Sequence, residues 1–121
     1  MAICSVVLSA GCQRSIESKL VGAWRWKGCN DEGEVDAGDV AYSADHTFSS
    51  RDWAVNYSQQ PPILMDHGEW HIRRHVLIMD FKGATRPTEI RHTELPFTFF
   101  GDDTLVVRAT GGKVNTFERV K

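Results

Sequence analysis

The sequence has little of what marks a membrane-spanning, nucleic-acid-binding or disulfide-rich protein. No apolar run approaches the ~20 residues of a spanning helix. With 14 basic and 16 acidic residues, the net charge of −2 argues against the basic surface of a dedicated nucleic-acid-binding domain. Three cysteines in 121 residues form no Cys-x-x-Cys pair, which leaves a zinc ribbon or thioredoxin-like centre without support. The length allows one domain.

The sequence also lacks the motifs of common enzyme classes. It has no glycine-rich phosphate loop and no Gly-x-Ser-x-Gly elbow that would expose a serine nucleophile. Asp80 and Glu94 can be named as an acid pair, but so can any two carboxylates. We therefore predict that the protein is not an enzyme and that it needs no cofactor.

Residues 1–12 form a short apolar segment that ends in a cysteine. From Ala2 to Gly11 there is no charge, and the first basic residue is Arg14. This pattern is typical of a secretory signal with small residues before the cleavage site. Its last part, Leu8-Ser9-Ala10-Gly11-Cys12, resembles the lipobox of bacterial lipoproteins. The alternative is an apolar first strand or helix of a cytosolic domain.

The lipoprotein resemblance implies a leader over residues 1–11 and a tether over residues 12–19. Cys12 would carry the lipid on sulfur and a fatty acid such as palmitate on its new amino end. Gln13 then implies an outer-membrane protein facing the periplasm. The tether reaches at most ~28 Å, so the domain would lie beside the membrane. Cys29 is left without a disulfide partner, unless Cys12 is not acylated and the two cysteines pair.

From Leu20 to Lys121 the chain reads as one all-β domain. Short apolar runs alternate with Gly-, Pro- or Asp-containing turn signals, a spacing typical of a sandwich or barrel. Eight strands close a small barrel whose interior holds side chains or one small ligand. The runs are Val21–Lys27, Asp39–Ser43, Thr47–Val55, Gly68–Arg73, His75–Lys82, Thr88–Phe99, Thr104–Ala109 and Lys113–Val120.

Period-two alternation within these runs favours strands over helices. Trp70 and Ile72 share one face, and His71 and Arg73 share the other, as in a half-buried antiparallel sheet. Helix is the competing interpretation for Glu69–Phe81, but that stretch is rich in β-branched and aromatic residues.

Three short motifs resemble those of lipocalin-like barrels. Leu20-Val21-Gly22-Ala23-Trp24 is similar to the Gly-x-Trp signature of their first strand. Tyr42 to Phe48 resembles their second hairpin, with His46 in place of the usual Gly, and Gly68-Glu69-Trp70 resembles their central hairpin. The resemblance implies an eight-stranded antiparallel up-and-down barrel preceded by a short N-terminal helical turn. It also implies that Arg119 of the last strand stacks on Trp24.

Together, the lipoprotein and lipocalin-like resemblances imply a lipid-anchored envelope protein that binds a small apolar ligand or serves as an envelope accessory. The alternative is a protein-binding module, such as a periplasmic inhibitor of proteases or lysozymes. The side chains expected to line an interior cavity are Trp26, Trp70, Ile72, Leu77 and Phe97.

Two further patterns can be interpreted as metal sites, and a third can be interpreted as a lid over the barrel. His67, His71 and His75 recur every fourth residue, but on a strand neighbouring members lie ~13 Å apart and cannot share one ion. The acidic stretch between Cys29 and Ala44 does not match the spacing of an EF-hand loop. We predict no metal site, and we interpret the acidic stretch as a solvated loop across a barrel mouth. Ile63 and Leu64 follow a Pro-Pro pair and either pack on the rim or form a lid.

Overall fold

The computed structural model is a closed barrel of eight antiparallel strands in up-and-down order. The structure describes residues 15–29, 35–54, 64–84, 91–109 and 112–121. A short helix, α1, covers residues 15–20. The predicted all-β barrel with an N-terminal helical turn is thereby confirmed. The strands are β1 (Gly22–Cys29), β2 (Val35–Tyr42), β3 (Thr47–Ala54), β4 (Leu64–Arg73), β5 (Val76–Ala84), β6 (His92–Phe100), β7 (Thr104–Arg108) and β8 (Val114–Arg119).

Alternation along the strands builds the two faces of the barrel wall. In β4, Trp70 and Ile72 are buried while Glu69 and His71 are exposed, because successive side chains of a strand point to opposite faces. Trp70 pairs with Met79 of β5, which rules out the competing helical interpretation of this stretch.

Three strands begin four residues away from the predicted position, and the other five begin within one residue of it. β2 starts at Val35 and β4 at Leu64, both earlier than expected, while β6 starts later, at His92. The prediction of a solvated loop between Cys29 and Ala44 is therefore wrong for residues 35–38, whereas residues 39–42 lie in the strand predicted over Asp39–Ser43. Residues 35–38 pair with Cys29 to Trp26 of β1, which extends the strand beyond its predicted start.

The up-and-down order divides the connections between two ends of the barrel. The β2–β3, β4–β5 and β6–β7 turns lie at one end together with α1 and the C-terminus, and we call it the helix end. Strands β1, β3, β5 and β7 end at the opposite end, which we call the far end. Glu17 Oε1 lies 3.5 Å from His46 Nε2 in the β2–β3 turn, and Lys19 Nζ lies 3.8 Å from Asp102 Oδ1 in the β6–β7 turn. The helix therefore crosses its end of the barrel.

The hydrophobic core lies toward the helix end. Leu20 and Ile16 stand four residues apart on α1, so both point to the same side, and both pack against the core cluster. Burial of each large apolar side chain contributes about 1.5–3 kcal/mol. Within the described part of the chain, no helix is long and apolar enough to cross a membrane. The largest fully buried side chains are Trp24, Trp70, Leu20, Leu77 and Leu105.

The β4–β5 turn has an unusual residue choice. Arg74 and His75 have φ angles of 52° and 63°, as the two central positions of a type I′ hairpin turn require. Such turns favour Asn and Gly because most L-residues are strained at positive φ. The turn was hard to predict from sequence for this reason.

Candidate functional site

Arg119 ties three parts of the helix end together. Its Cζ lies 4.2 Å from the ring centroid of Trp24, so the structure places the two residues of the expected stacking pair in contact. The guanidinium also donates hydrogen bonds to the carbonyls of Lys19 in α1 and of Val21 directly after it. Its Nε donates to the Asp102 carbonyl at 3.0 Å. The last strand, the helix and the β6–β7 turn thus share one cation.

Gly22 makes room for this arrangement. Its φ is +134°, and a Cβ there would lie 2.8 Å from Arg119 Nη1. The indole Nε1 of Trp24 donates to the Leu20 carbonyl at 2.8 Å, which satisfies a free backbone acceptor at the end of the helix. The Gly-x-Trp sequence therefore closes one end of the barrel.

A second Gly-x-Trp unit performs a similar task on the other side of the helix end. A Cβ on Gly68 would lie 2.0 Å from the Asp80 carbonyl oxygen, and the β4–β5 register shifts at this point. Trp70 Nε1 donates to the Ser43 carbonyl at 3.1 Å. His46 adopts φ 69°, and its ring meets Trp70 edge-on at 4.8 Å. The histidine that replaces the usual turn glycine thus gains a packing contact.

The structure separates the five predicted lining residues into two groups. Four of them are buried within the core cluster: Trp70, Ile72, Leu77 and Phe97. Trp26 is only half-buried, and by strand alternation it faces the same side as Trp24. It pairs with Phe117 of β8, which is also half-buried. Trp26 thus lies nearer the far end, apart from the other four.

Other inward-facing positions near the far end share this partial exposure. The register that runs around the barrel aligns them with Trp26 or with buried inner residues of neighbouring strands. The set mixes aromatic and hydrogen-bonding side chains, and sequence analysis missed all of its members. Their only sequence signal is alternation with outer residues. They are Ser50, Phe81, Thr93, Asn115 and Phe117.

The three periodic histidines do not converge. His67 and His71 lie exposed on the outer face of β4, while His75 is in the β4–β5 turn. The His67 ring lies over Gly83, where a Cβ would be 2.3 Å from its Cε1 atom. Among the described residues, no group of three potential ligands is arranged to hold a metal ion.

His92 joins Asp80 and Glu94 on the outer face of β5 and β6. Its Nδ1 lies 2.6 Å from Asp80 Oδ1, and its Nε2 lies 3.0 Å from Glu94 Oε2. These hydrogen bonds raise the pKa of His92, with Asp80 the larger contributor. The hydrogen bond from His92 also lowers the pKa of Asp80. The two carboxylates are therefore bridged by an imidazole rather than placed face to face as an acid pair.

A groove of about 690 Å³ crosses the outer face of β1 to β5. We call it the outer groove. Asp39 lies beside it between two arginines, accepting from Arg25 Nε at 2.7 Å and from Arg51 Nη2 at 3.1 Å. Small side chains on neighbouring strands line the floor: Ala23, Ala41, Ser49 and Gly83.

Several predicted features lie outside the described residues. These are the leader over residues 1–11, Cys12 with the beginning of the tether, and Ile63 of the expected rim or lid. Leu64 belongs to β4 instead of the preceding connection.

Comparison with known proteins gives no family for this chain, so its function is inferred from the geometry. The chain matches no protein-family model and has no significant match among curated proteins.

Proposed function

We propose that this protein is a lipid-anchored, lipocalin-like envelope protein that binds a small, largely apolar ligand in the far end of its barrel, without catalysis. The supporting observation is the difference in burial between the inward-facing tryptophans. Trp24 and Trp70 at the helix end are 0% and 1% exposed, whereas Trp26 is half-buried. Incompletely buried aromatic side chains on a concave wall are typical of a ligand pocket.

The residues around Trp26 define the ligand chemistry. Trp26, Phe81 and Phe117 offer aromatic surface, which favours an apolar body. Ser50 and Asn115 add hydrogen-bonding groups on the same inner wall, and a few polar groups among apolar ones fix a ligand's orientation. We therefore expect a small apolar molecule that carries at least one hydrogen-bonding group.

The lipid anchor is the second part of the proposal. It rests on the segment Leu8 to Cys12, with Cys12 as the acylated residue and the outer membrane as the destination. The position of α1 agrees with such an anchor, because the helix begins at residue 15 and only Gln13 and Arg14 stand between. Intact-mass measurement of the protein from its own envelope tests this part. A chain that begins at Met1 without lipid would contradict it.

Binding of a neutral apolar fluorophore, N-phenyl-1-naphthylamine, tests the pocket. We expect Trp26→Ala and Phe117→Ala to weaken binding about tenfold, equivalent to about 1.4 kcal/mol. The matched control is Val114→Ala, since Val114 is exposed at the far end but on the outer wall of β8. The pocket is absent if the two inner variants bind the probe as well as the control does.

The outer groove favours one alternative function, a protein-binding module. Arg25 and Arg51 flank its small-residue floor, and side chains of a partner fit such a groove. Native mass spectrometry distinguishes the two functions. A retained small molecule supports the pocket, whereas a stoichiometric protein partner without any small molecule supports the module.

A further inference from the structure

We propose that the helix end of the barrel is a docking face for anionic phospholipid headgroups, and that the far end points away from the membrane. The anchored orientation rests on the lipid anchor of the proposed function. The affinity of the helix end for headgroups does not require the anchor and is tested without it.

The length of the tether decides which end meets the membrane. Cys12 precedes the first residue of α1 by 15 − 12 = 3 positions, which span roughly 10 Å at most. This is much less than the ~28 Å of a fully extended tether ending at Leu20, because the helix takes up its second half. A lipid on Cys12 therefore holds the helix end against the bilayer surface.

The β4–β5 turn supplies positive charge to this face. Within the described parts of the chain, Arg73 and Arg74 form no ion pair, and both are exposed. His75 follows them and is also exposed. Basic side chains near an anionic membrane surface strengthen binding to that surface. The turn therefore offers cationic groups that the protein itself leaves uncompensated.

The other charges of the helix end are mostly paired, and the pairs are weak. Lys19 Nζ lies 3.8 Å from Asp102 Oδ1, and Lys121 Nζ lies 2.9 Å from Asp103 Oδ2. The Asp102 side chain is 92% exposed, so its ion pair adds little to stability. Both lysines can therefore turn to headgroup phosphates at small cost.

Exposed apolar side chains accompany these cations. Phe100 is 64% exposed at the end of β6, and Val120 is 38% exposed after β8. Aromatic rings beside basic residues are typical of membrane-surface binding. The far end also carries exposed residues of this kind, Val114 beside Arg108 and Lys113. Among the described residues, however, the exposed aromatic ring, that of Phe100, lies at the helix end.

Chemical footprinting of the native lysines tests the proposal directly. The full chain carrying Cys12→Ser is acetylated with and without vesicles that contain about 30% phosphatidylglycerol in phosphatidylcholine, and modification is read by mass spectrometry. Lys19 and Lys121 report on the helix end, Lys113 on the far end and Lys82 on the outer wall. Vesicles of phosphatidylcholine alone show what the uncharged leader contributes by itself.

We expect anionic vesicles to protect Lys19 and Lys121 about threefold and to leave Lys113 and Lys82 unchanged, with the effect lost at high salt. Protection of Lys113 instead would overturn the orientation. Absence of any protection specific to anionic vesicles would overturn the docking face. Neither result affects probe binding or the intact mass of the lipidated chain, which test the proposed function. Failure of the docking face is therefore distinguishable from failure of the proposed function.

A double variant tests the role of the turn without endangering the fold. Arg74→Asn with His75→Gly places residues that favour positive φ at both positions and removes the positive charge of Arg74 while Arg73 stays. We expect it to weaken partitioning onto anionic vesicles about fivefold. The control, Arg108→Asn, removes a cation at the far end and should leave partitioning unchanged. Equal partitioning of the double variant and the wild type would show that the β4–β5 turn is not part of the docking face.

Discussion

The two ends of the barrel each have an inward-facing tryptophan on β1, but the two tryptophans are buried to different extents. At the helix end, Trp24 is fully buried, stacks under Arg119 and donates a hydrogen bond to Leu20. Toward the far end, Trp26 points to the same interior but is half-buried beside Phe117. Two residues along one strand thus separate a packed closure from the partly exposed aromatic surface at which we propose ligand binding. The difference teaches that an inward-facing aromatic residue in a barrel acquires its role from the end at which it lies.

The test with the largest expected effect removes one tryptophan from each end of the barrel. Trp24→Ala should lower the free energy of unfolding by about 4 kcal/mol, because a large buried side chain leaves a cavity. Trp26→Ala should lower it by about 1 kcal/mol, since less surface is buried there. Urea unfolding measures both values. Equal losses would mean that the two ends are packed alike.

The next test addresses the cation of the closure. Arg119→Met preserves length but removes the hydrogen bonds to the carbonyls of Lys19, Val21 and Asp102. We expect a loss of about 2–3 kcal/mol from these unsatisfied acceptors and the lost stacking. Arg108→Met, on the outer wall at the far end, should stay within about 0.5 kcal/mol of wild type. Thermal unfolding of both variants checks this, and similar midpoints would contradict the closure.

A third test should raise stability. Arg74→Asn with His75→Gly relieves two residues held at positive φ, each strained by about 1–2 kcal/mol. We expect part of this strain to be recovered, so that the double variant unfolds at higher temperature than wild type. A lower unfolding temperature would show that the two native side chains stabilise the turn through contacts that outweigh their backbone strain.

The smallest effect concerns pH. The pKa of His92 is raised in the folded protein, so its contribution to stability is full below about 6.5 and is lost as the pH rises through the folded pKa. The pKa of Asp80 is lowered, so its contribution is lost at acidic pH. The side chains of His92, Asp80 and Glu94 are all exposed to solvent, so the effect on stability is small. We expect His92→Gln to flatten the profile of unfolding temperature between weakly acidic and alkaline pH, and an unchanged profile would contradict the bridge.

The fold was predictable because alternation and turn residues repeat along the chain. The alternation around Trp70 and the Gly-x-Trp motif at Gly22 are local sequence patterns. Each of them indicates which side chains face the barrel interior. The early start of β2 was not predictable, because residues 35–38 lie in the strand by pairing with β1, and that pairing leaves no apolar run in their own sequence. Partial burial of Ser50 or Phe117 depends on position along the barrel axis, which alternation within one strand does not encode.

The indole N–H signals of Trp24, Trp26 and Trp70 in a nitrogen–proton correlation spectrum test the contrast between the ends most directly. Single Trp→Phe variants assign the signals, and N-phenyl-1-naphthylamine is then titrated into the wild-type protein. We predict that the Trp26 signal shifts with probe concentration while those of Trp24 and Trp70, which donate to Leu20 and Ser43, stay in place. Shifts at Trp24 or Trp70 with none at Trp26 would contradict the assignment of the ligand site to the far end.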